Sequence, residues 1–368
     1  MSAEDRHAAI LASVQARGSV TIRELAAELR VAAVTIRADV RELARGGQLN
    51  RVHGGVTWPA GRPRRGPAGT AAERRDPSSL RGMAPGHVPK APGQAYSLGM
   101  VVPHPAYYYP EVIAGARAAA ESLGVRLSLG VSRNLPAEER VLVAQMVQSG
   151  VDGLLVTTAE DPRTSPGTEA WLNTLPVPVV LAERRTGPDT GAVESVATDH
   201  EQGAFLAVRH LRERGRRHIA LLQFDTMTAP MLKIGHRQAL TALGLEPCSP
   251  DVPSALVEND PADLDDKCGR LVRAVRDGQV DAVLIHNDSI ALPLVSRLQA
   301  AGVQVPGDLD VISYDDEIAA LADPPLTAVA PPRHAVGAEA VHLLVRRLQD
   351  PDRPTHTLML RPQLNVRT

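Results

Sequence analysis

The stretch Val280–Val329, VDAVLIHNDSIALPLVSRLQAAGVQVPGDLDVISYDDEIAALADPPLTAV, decides the fold. Ala282–Ile285 is a short apolar run closed by turn residues, the pattern of a strand buried on both faces. His286–Asn287–Asp288 breaks the run. Ser289–Ala301 predicts a helix, with Ile290, Leu294 and Leu298 at steps of four, and Gly302 ends it as a C-terminal capping glycine does. Pro306–Gly307–Asp308 turns the chain into a second strand, Val311–Tyr314. Asp315 and Asp316 sit just past its end, and the chain from there to Val329 reads as loop. In a doubly wound sheet, ligands bind beyond the carboxyl ends of the strands, and Asn287 and Asp315 both stand at such ends. A carboxylate that accepts hydroxyl hydrogens, beside an amide that both donates and accepts, suits a hydroxyl-rich ligand. The spacing is equally compatible with two residues that only cap loops.

The order HND, AxxxLQAAGVQVPGDLDVISYDD and DPPLTAV resembles the effector domain of the LacI/GalR family. The resemblance runs from about Tyr96 to the C-terminus. It includes SLGMVVP, VDGLLV at Val151–Val156, VATDHEQGAFLAVRHLRERGRRHIALL at Val196–Leu222, and the closing RPQLNVRT. It implies a bilobed, periplasmic-binding-protein-like α/β fold with a small effector between the lobes.

Outside that stretch the chain also alternates strand and helix. Strands are expected at Ser97–Val102, Val125–Gly130, Leu154–Thr157, Val177–Ala182 and Ile219–Gln223, with helices at Glu111–Leu123, Ala137–Ser149, Gln202–Arg214, Ala229–Leu243 and Asp265–Arg276. Such alternation predicts parallel sheets with right-handed crossovers. The length predicts two lobes, one from about 96–194 and 319–352, the other from about 195–318 and 353–368.

The first residues read differently. Asp5–Arg17 predicts a helix with Ile10, Leu11 and Val14 on one face. Thr21–Glu24 is a capping-box pattern opening a second helix to about Leu29. A third helix runs from about Ala33 to Arg45, with Ile36, Val40 and Leu43 inward. Arg37, Arg41 and Arg45 share another face with Thr35. Gln48–Val52 and Val56–Trp58, around His53–Gly54–Gly55, form a two-stranded wing. Three short helices and a wing make a winged helix-turn-helix, whose third helix enters a major groove. The bland alternative is a helical bundle with solvated arginines. TIRADVRELARGGQLNRVHGG resembles the DeoR-family DNA-binding domain at Thr35, Ile36, Arg37, Asp39, Leu43, Arg51, His53, Gly54 and Gly55. The resemblance implies DNA contacts by Thr35, Arg37, Arg41, Arg45, Arg51 and His53 within residues 1–58. Ala32 stands where that family usually has a capping serine.

Residues 59–95 are rich in Pro, Gly and Arg and poor in large apolar residues, the composition of a flexible linker. Nothing in it resembles the hinge helix of LacI/GalR proteins. Charge divides the same way. Residues 1–95 carry 15 Lys/Arg against 8 Asp/Glu, whereas the remainder, with 25 against 34, is acidic. A basic head on an acidic body is suited to a polyanion such as double-stranded DNA. No apolar run approaches the roughly 18 residues of a membrane span, and the N-terminus lacks a signal pattern, so a cytoplasmic location without membrane contact is expected. Cys248 and Cys268 lack metal-ligand spacing. No nucleotide, zinc-protease or nucleophile-elbow motif occurs. No catalytic residue, metal or cofactor is expected.

The five tyrosines carry most of the aromatic surface in a chain that is 2% aromatic. Tyr107, Tyr108, Tyr109 and Tyr314 lie next to expected strand ends, where rings can stack on sugar faces. Tyr108 and Tyr109 align with a phenylalanine pair of the LacI/GalR pattern, and Glu183–Arg184 with an Asp-Arg pair. The resemblance therefore implies effector contacts by Tyr108, Tyr109, Glu183, Arg184, Asn287 and Asp315. Many members carry an arginine at the position of Leu232. Its absence argues against a phosphate or carboxylate effector unless Lys233 or Arg184 substitutes. The expected protein is a homodimeric, ligand-responsive repressor of carbohydrate genes, with a sugar as effector. A solute-binding protein and a sugar-phosphate enzyme are the rival readings.

Overall fold

A computed structural model describes residues 6–7, 9–11, 13–14, 19–29, 31, 35–36, 39–40, 43, 50–52, 55–57 and 95–367, less 188–190, 192, 250–251 and 258–259. The chain divides into two units, residues 1–81 and 82–368.

In the first unit, helical residues lie between 6 and 14 and again between 35 and 43. Between them, strand β1 (Ser19–Thr21) leads into helix α1 (Ile22–Leu29). Strands β2 (Asn50–Val52) and β3 (Gly55–Thr57) follow, and the antiparallel order is β1-β3-β2. The wing thus has a third strand, β1, absent from the sequence expectation. Its residues are too few to show an alternating pattern. Ile10, Val14, Leu25, Ile36, Val40 and Leu43 form the core, which confirms the inward faces expected of the helices. Arg6 holds Asp39 with two bonds of 2.7 and 3.0 Å, pinning the first helical segment to the third. These bonds keep the Asp39 carboxyl below its usual range. The linker expected at 59–95 lies almost wholly outside the described residues.

The second unit is bilobed. Strands β4 (Ser97–Val102), β5 (Arg126–Val131), β6 (Gly153–Val156), β7 (Val179–Ala182) and β8 (Glu194–Thr198) build the first sheet. Strands β9 (Ile219–Phe224), β10 (Ala255–Leu256), β11 (Ala282–His286), β12 (Asp310–Tyr314) and β13 (Thr327–Ala330) build the second. β14 (Thr357–Leu360) returns to the first sheet and β15 (Gln363–Asn365) to the second. The strand orders are β14-β8-β7-β6-β4-β5 and β10-β9-β11-β12-β13-β15. Every pairing is parallel except β13 with β15. Helices α2 (Tyr109–Ser122), α3 (Pro136–Gln148), α4 (Pro166–Leu172), α5 (His200–Glu213), α6 (Ala229–Ala242), α7 (Pro261–Arg276) and α8 (Asp288–Ala300) supply crossovers, and α9 (Arg333–Gln349) packs on α2. β4, β6, β7, β11 and β12 are buried almost throughout, as strands with helices on both faces must be.

Three sequence expectations need correction. The second lobe does not begin at about 195: β8 (Glu194–Thr198) pairs with β7 in the first sheet. Thr327–Val329 is not loop but part of β13, paired with β12 in the second sheet. β14 belongs to the first lobe, because it pairs with β8. The chain therefore crosses between lobes near 199, between β13 and α9, and between β14 and β15. The reason is that β8 and β13 would otherwise stand at the sheet edges with one side unpaired, and the returning chain supplies β14 and β15 as their partners. Glu194 fixes that return. It is buried on β8 and takes Arg347 at 3.1 Å, Arg353 at 2.8 Å and the main-chain N–H of His356 at 2.9 Å.

Candidate functional site

Four strands of the two sheets end at one place. Tyr107–Tyr109 follow β4, Glu183 follows β7, Asn287 follows β11 and Asp315 follows β12. Between these ends lies a cavity of about 780 Å³, and all six expected effector residues line it. Tyr107, Glu183 and Asp315 have φ of 57°, 55° and 91°. For non-glycine residues the left-handed region costs roughly 1–3 kcal/mol and concentrates where a side chain must be aimed.

The individual roles differ from the expectation. Tyr108 is not a free stacking wall. Its hydroxyl donates to Glu183 Oε1 at 2.7 Å, and Arg333 lies over its ring at 5.5 Å. Tyr109 is a core residue, edge-on to His104 and to Tyr108. Tyr314 does not line the cavity; it is fully buried beneath it. Tyr107, by contrast, lines the cavity, and its hydroxyl is buried with no hydrogen-bond partner.

Glu183 already accepts from Tyr108, from Thr198 Oγ1 at 2.8 Å and from the Thr198 N–H at 3.1 Å. Burial pushes its carboxyl up, but His200, Tyr108 and Thr198 overturn that and hold it below the usual range. Arg184 donates to the carbonyl oxygens of Thr158 and Glu183, which fixes its guanidinium in the wall. Asn287 is both cap and wall. Its Oδ1 accepts the Ser289 N–H at 3.2 Å at the start of α8, and its residue faces the cavity.

Asp315 is buried, and burial pushes its carboxyl up to about 7; the nearby Asp288 charge adds to the rise, while His200 and Arg333 oppose it. A ligand that donates hydroxyl hydrogens would favour its charged form. Glu139, also buried, accepts the Ala159 N–H at 2.6 Å, and burial raises it to about 7. Carboxyls raised in the fold stabilise it fully below the unfolded value, near 4. That contribution is lost as pH rises through 7. Glu183 has the opposite sign, and its contribution is lost only as pH falls below the carboxylate range. The buried, neutral His286 works the other way, its contribution fading as pH falls below about 6.5, but the two carboxyls raised to about 7 outweigh it, so the ligand-free body should melt at a higher temperature at about pH 5 than at about pH 8. Asp315→Asn should flatten that difference, which thermal melts across the range will check.

The structure also adds residues. His200 lies buried at the start of α5, between Glu183 and Tyr314. His286 ends β11 and lines the cavity; burial, aided by His200, lowers it to about 3, so it stays neutral. Asn134, Asp161, Asp225 and Thr228 complete a polar rim. These are lone polar residues in loops, and nothing in their spacing marks them. Leu232 is fully buried, and Lys233 faces a different cavity beside β9 and α6, so Lys233 does not replace the missing arginine in this cleft. Of the expected DNA contacts, Thr35 is helical and half-buried. Arg37, Arg41, Arg45 and His53 lie outside the described residues, as does the side chain of Arg51 on β2. Among the described residues, no group of three or more His, Cys, Asp or Glu is placed to hold a metal, and no helix is long and apolar enough to cross a membrane.

Residues 6–60 match the DeoR-like helix-turn-helix domain, and residues 208–368 match the periplasmic-binding-protein-like domain. The chain thus joins a segment that matches a DeoR-like helix-turn-helix domain to one that matches a periplasmic-binding-protein-like domain. It is similar to the HTH-type transcriptional repressor PurR of Vibrio atlanticus, 27% identical over 276 residues, covering 74% of this chain and 80% of that protein. PurR of Vibrio cholerae is 28% identical over 272 residues, 73% of this chain and 79% of that one. Among solved structures, the transcriptional regulator CelR in complex with cellobiose matches with a TM-score of 0.62 and 27% identity, over 75% of this chain and 85% of that one. CcpA of Lactococcus lactis matches with a TM-score of 0.61 and 20% identity, over 74% of this chain and 98% of that one, a likeness of fold. These relatives are transcriptional regulators.

Proposed function

We propose that this LacI-type regulator with a DeoR-type head is a repressor of carbohydrate genes, responding to a sugar held between the lobes. The observation that carries this reading is the cleft itself: carboxylate, amide, imidazole and hydroxyl groups converge from both sheets at their carboxyl ends, with aromatic edges beside them. Asp315 and Asn287 offer hydroxyl-directed bonds from one lobe. Tyr107 and Arg184 face them from the other, while Glu183 and Tyr108 act as a fixed wall behind. The likeness to a regulator crystallised with cellobiose supports a sugar over a phosphorylated ligand, as does the missing arginine at Leu232. Closing the lobes on the ligand changes the body, and through the 59–95 linker it changes how a pair of heads meets DNA. Ligand and DNA affinities are then reciprocally coupled. Two-fold operators call for a homodimer. A thermal-shift screen of sugars, nucleosides and polyols tests the reading. Stabilisation by a nucleoside and by no sugar would overturn it.

The same proposal gives the head a base-reading role through Arg37, beside Thr35, Arg41, Arg45, Arg51 and His53. Arg37→Ala should weaken specific DNA binding by about 1–3 kcal/mol and relax sequence preference at one position. Gel shifts on the operator and on single-base variants measure both, and unchanged affinity with unchanged preference would sink the base-reading role.

A further inference from the structure

Strand β9 is covered on its outer side for only part of its length. β10 has two residues, which pair with Gln223 and Phe224. The chain before β10 does not run back along β9, because the Val252 N–H turns to the Ser249 carbonyl at 3.0 Å. Successive residues of a parallel strand point their main-chain groups to opposite neighbours. The Gln223 N–H points outward, to the Ser254 carbonyl at 3.3 Å. Ile219 and Leu221 therefore point the same way. His236 Nε2 donates to the Ile219 carbonyl at 2.9 Å, while Leu221 has no strand on that side.

A cavity of about 320 Å³ occupies this gap, walled by β9, α6 and the segment 247–254. Its size is at the lower end of the roughly 300–1,000 Å³ of small-molecule sites. Leu240, Pro247, Val252 and Pro253 make much of the wall apolar. Lys233 and Arg237, one turn apart on α6, line it as well, and neither is paired with a carboxylate among the described residues. Lys233 Nζ is directed to the cavity floor, where it donates to the amide oxygen of buried Gln223 at 3.3 Å; the Gln223 amide nitrogen donates to the Ala229 carbonyl at 3.2 Å. The other titratable groups of the wall add no charge near neutral pH. Burial pushes the Cys248 thiol up to about 11 and holds His236 below its usual range. Asp281, whose charge reaches Cys248, is occupied by the N–H groups of Arg217 and His218 at 2.8 and 2.9 Å.

We propose that this cavity is a second ligand site, separate from the cleft, for a small carboxylic acid with an apolar body. The carboxylate meets Lys233 and Arg237. The body covers the open edge of β9 between Leu240 and Val252, and a polar atom on it can reach the outward N–H and carbonyl of Leu221. The site adjoins the cleft through α6, since Pro230 in the first turn of that helix lines the cleft.

The probes are hexanoate, octanoate, benzoate and phenylacetate, with their uncharged primary amides as controls, on the full chain. The reporter is Cys248, which lines this cavity and not the cleft. Its alkylation by iodoacetamide at about pH 8, where a small thiolate fraction reacts, is followed by mass spectrometry of its peptide. At least one acid should slow the alkylation, with a half-protecting concentration equal to its dissociation constant from calorimetry, and its amide should protect less well. Lys233→Gln and Arg237→Gln, both at exposed positions, should each raise that concentration by about two- to fivefold, the range of solvent-exposed ion pairs, and the double variant by more. Failure of every acid to protect Cys248, equal protection by acid and amide, or undiminished protection in the double variant would overturn the proposal. An acid that binds by calorimetry and leaves the Cys248 rate unchanged would sit elsewhere and overturn it too.

Discussion

On the proposed reading, Asp315→Asn should bind the cleft sugar about 10- to 150-fold more weakly at pH 8, the roughly 1.5–3 kcal/mol that a hydrogen bond to a charged group contributes. The substitution keeps shape and backbone. Asparagine is one of the residues enriched at positive φ, so the 91° at this position is tolerated. What it removes is the charge. Because burial raises the Asp315 carboxyl to about 7, its carboxylate forms only above neutrality in the empty cleft. The advantage of the native protein over Asp315→Asn should therefore grow between about pH 6 and about pH 8, and binding at pH 7 should release protons. Calorimetry in buffers of different ionisation enthalpy reads both effects. Equal affinity of the two proteins at pH 8 would remove Asp315 from the binding site.

The second large effect is on stability. α2 and α9 pack so closely in the first lobe that a Cβ on Gly115 would lie 1.9 Å from the His334 carbonyl oxygen, and one on Gly337 would lie 1.9 Å from that of Val112. Both obstacles are backbone, which cannot rotate away as a side chain can. Gly115→Ala and Gly337→Ala should each destabilise the body by about 3 kcal/mol, the upper end of ordinary overpacking. For a domain of this size that is a fall of roughly 6–12 °C in melting temperature. Gly167→Ala, where nothing lies within 4 Å, is the control and should melt as the native chain does. Native-like melting of Gly115→Ala would show that the two helices can separate at little cost.

The alternation of strand and helix was legible wherever a strand is buried on both faces and a helix carries an apolar stripe. Ser97–Val102 agrees with β4 to the residue, and most other elements agree to within one or two, although α7 begins four residues before the expected Asp265 and α4 (Pro166–Leu172) lies outside the reading. The exceptions have physical causes. β14 and β15 have four and three residues, none of them fully buried, and take their identity from the strands they pair with. Lobe membership of β8 and β13 is likewise set by pairing, which leaves no local mark. α9 is a different case: Val336, Ala340, Leu344 and Leu348 repeat at steps of four, readable by the rule that finds α8.

The site divides similarly. The wall positions Tyr108, Glu183, Arg184, Asn287 and Asp315 follow from strand ends together with the family resemblance, but their duties do not. Whether a carboxylate is already satisfied, as Glu183 is, depends on neighbours 15 and 75 residues away. His200 is invisible for the same reason. A lone histidine at a helix start meets Glu183 and Tyr314 only once they are folded onto either side of it.

The most direct test of a ligand-operated repressor is one titration. The full chain is bound to a labelled DNA fragment carrying its operator, and the sugar that most raises the melting temperature of the protein is added while fluorescence polarisation follows the complex. Operator affinity should change by at least about fivefold, the lower end of ordinary coupling between sites. The half-maximal concentration should match the sugar's own affinity, and Asp315→Asn should remain on DNA unaffected by the same concentration. Operator affinity that stays constant while the cleft fills with sugar would contradict the account.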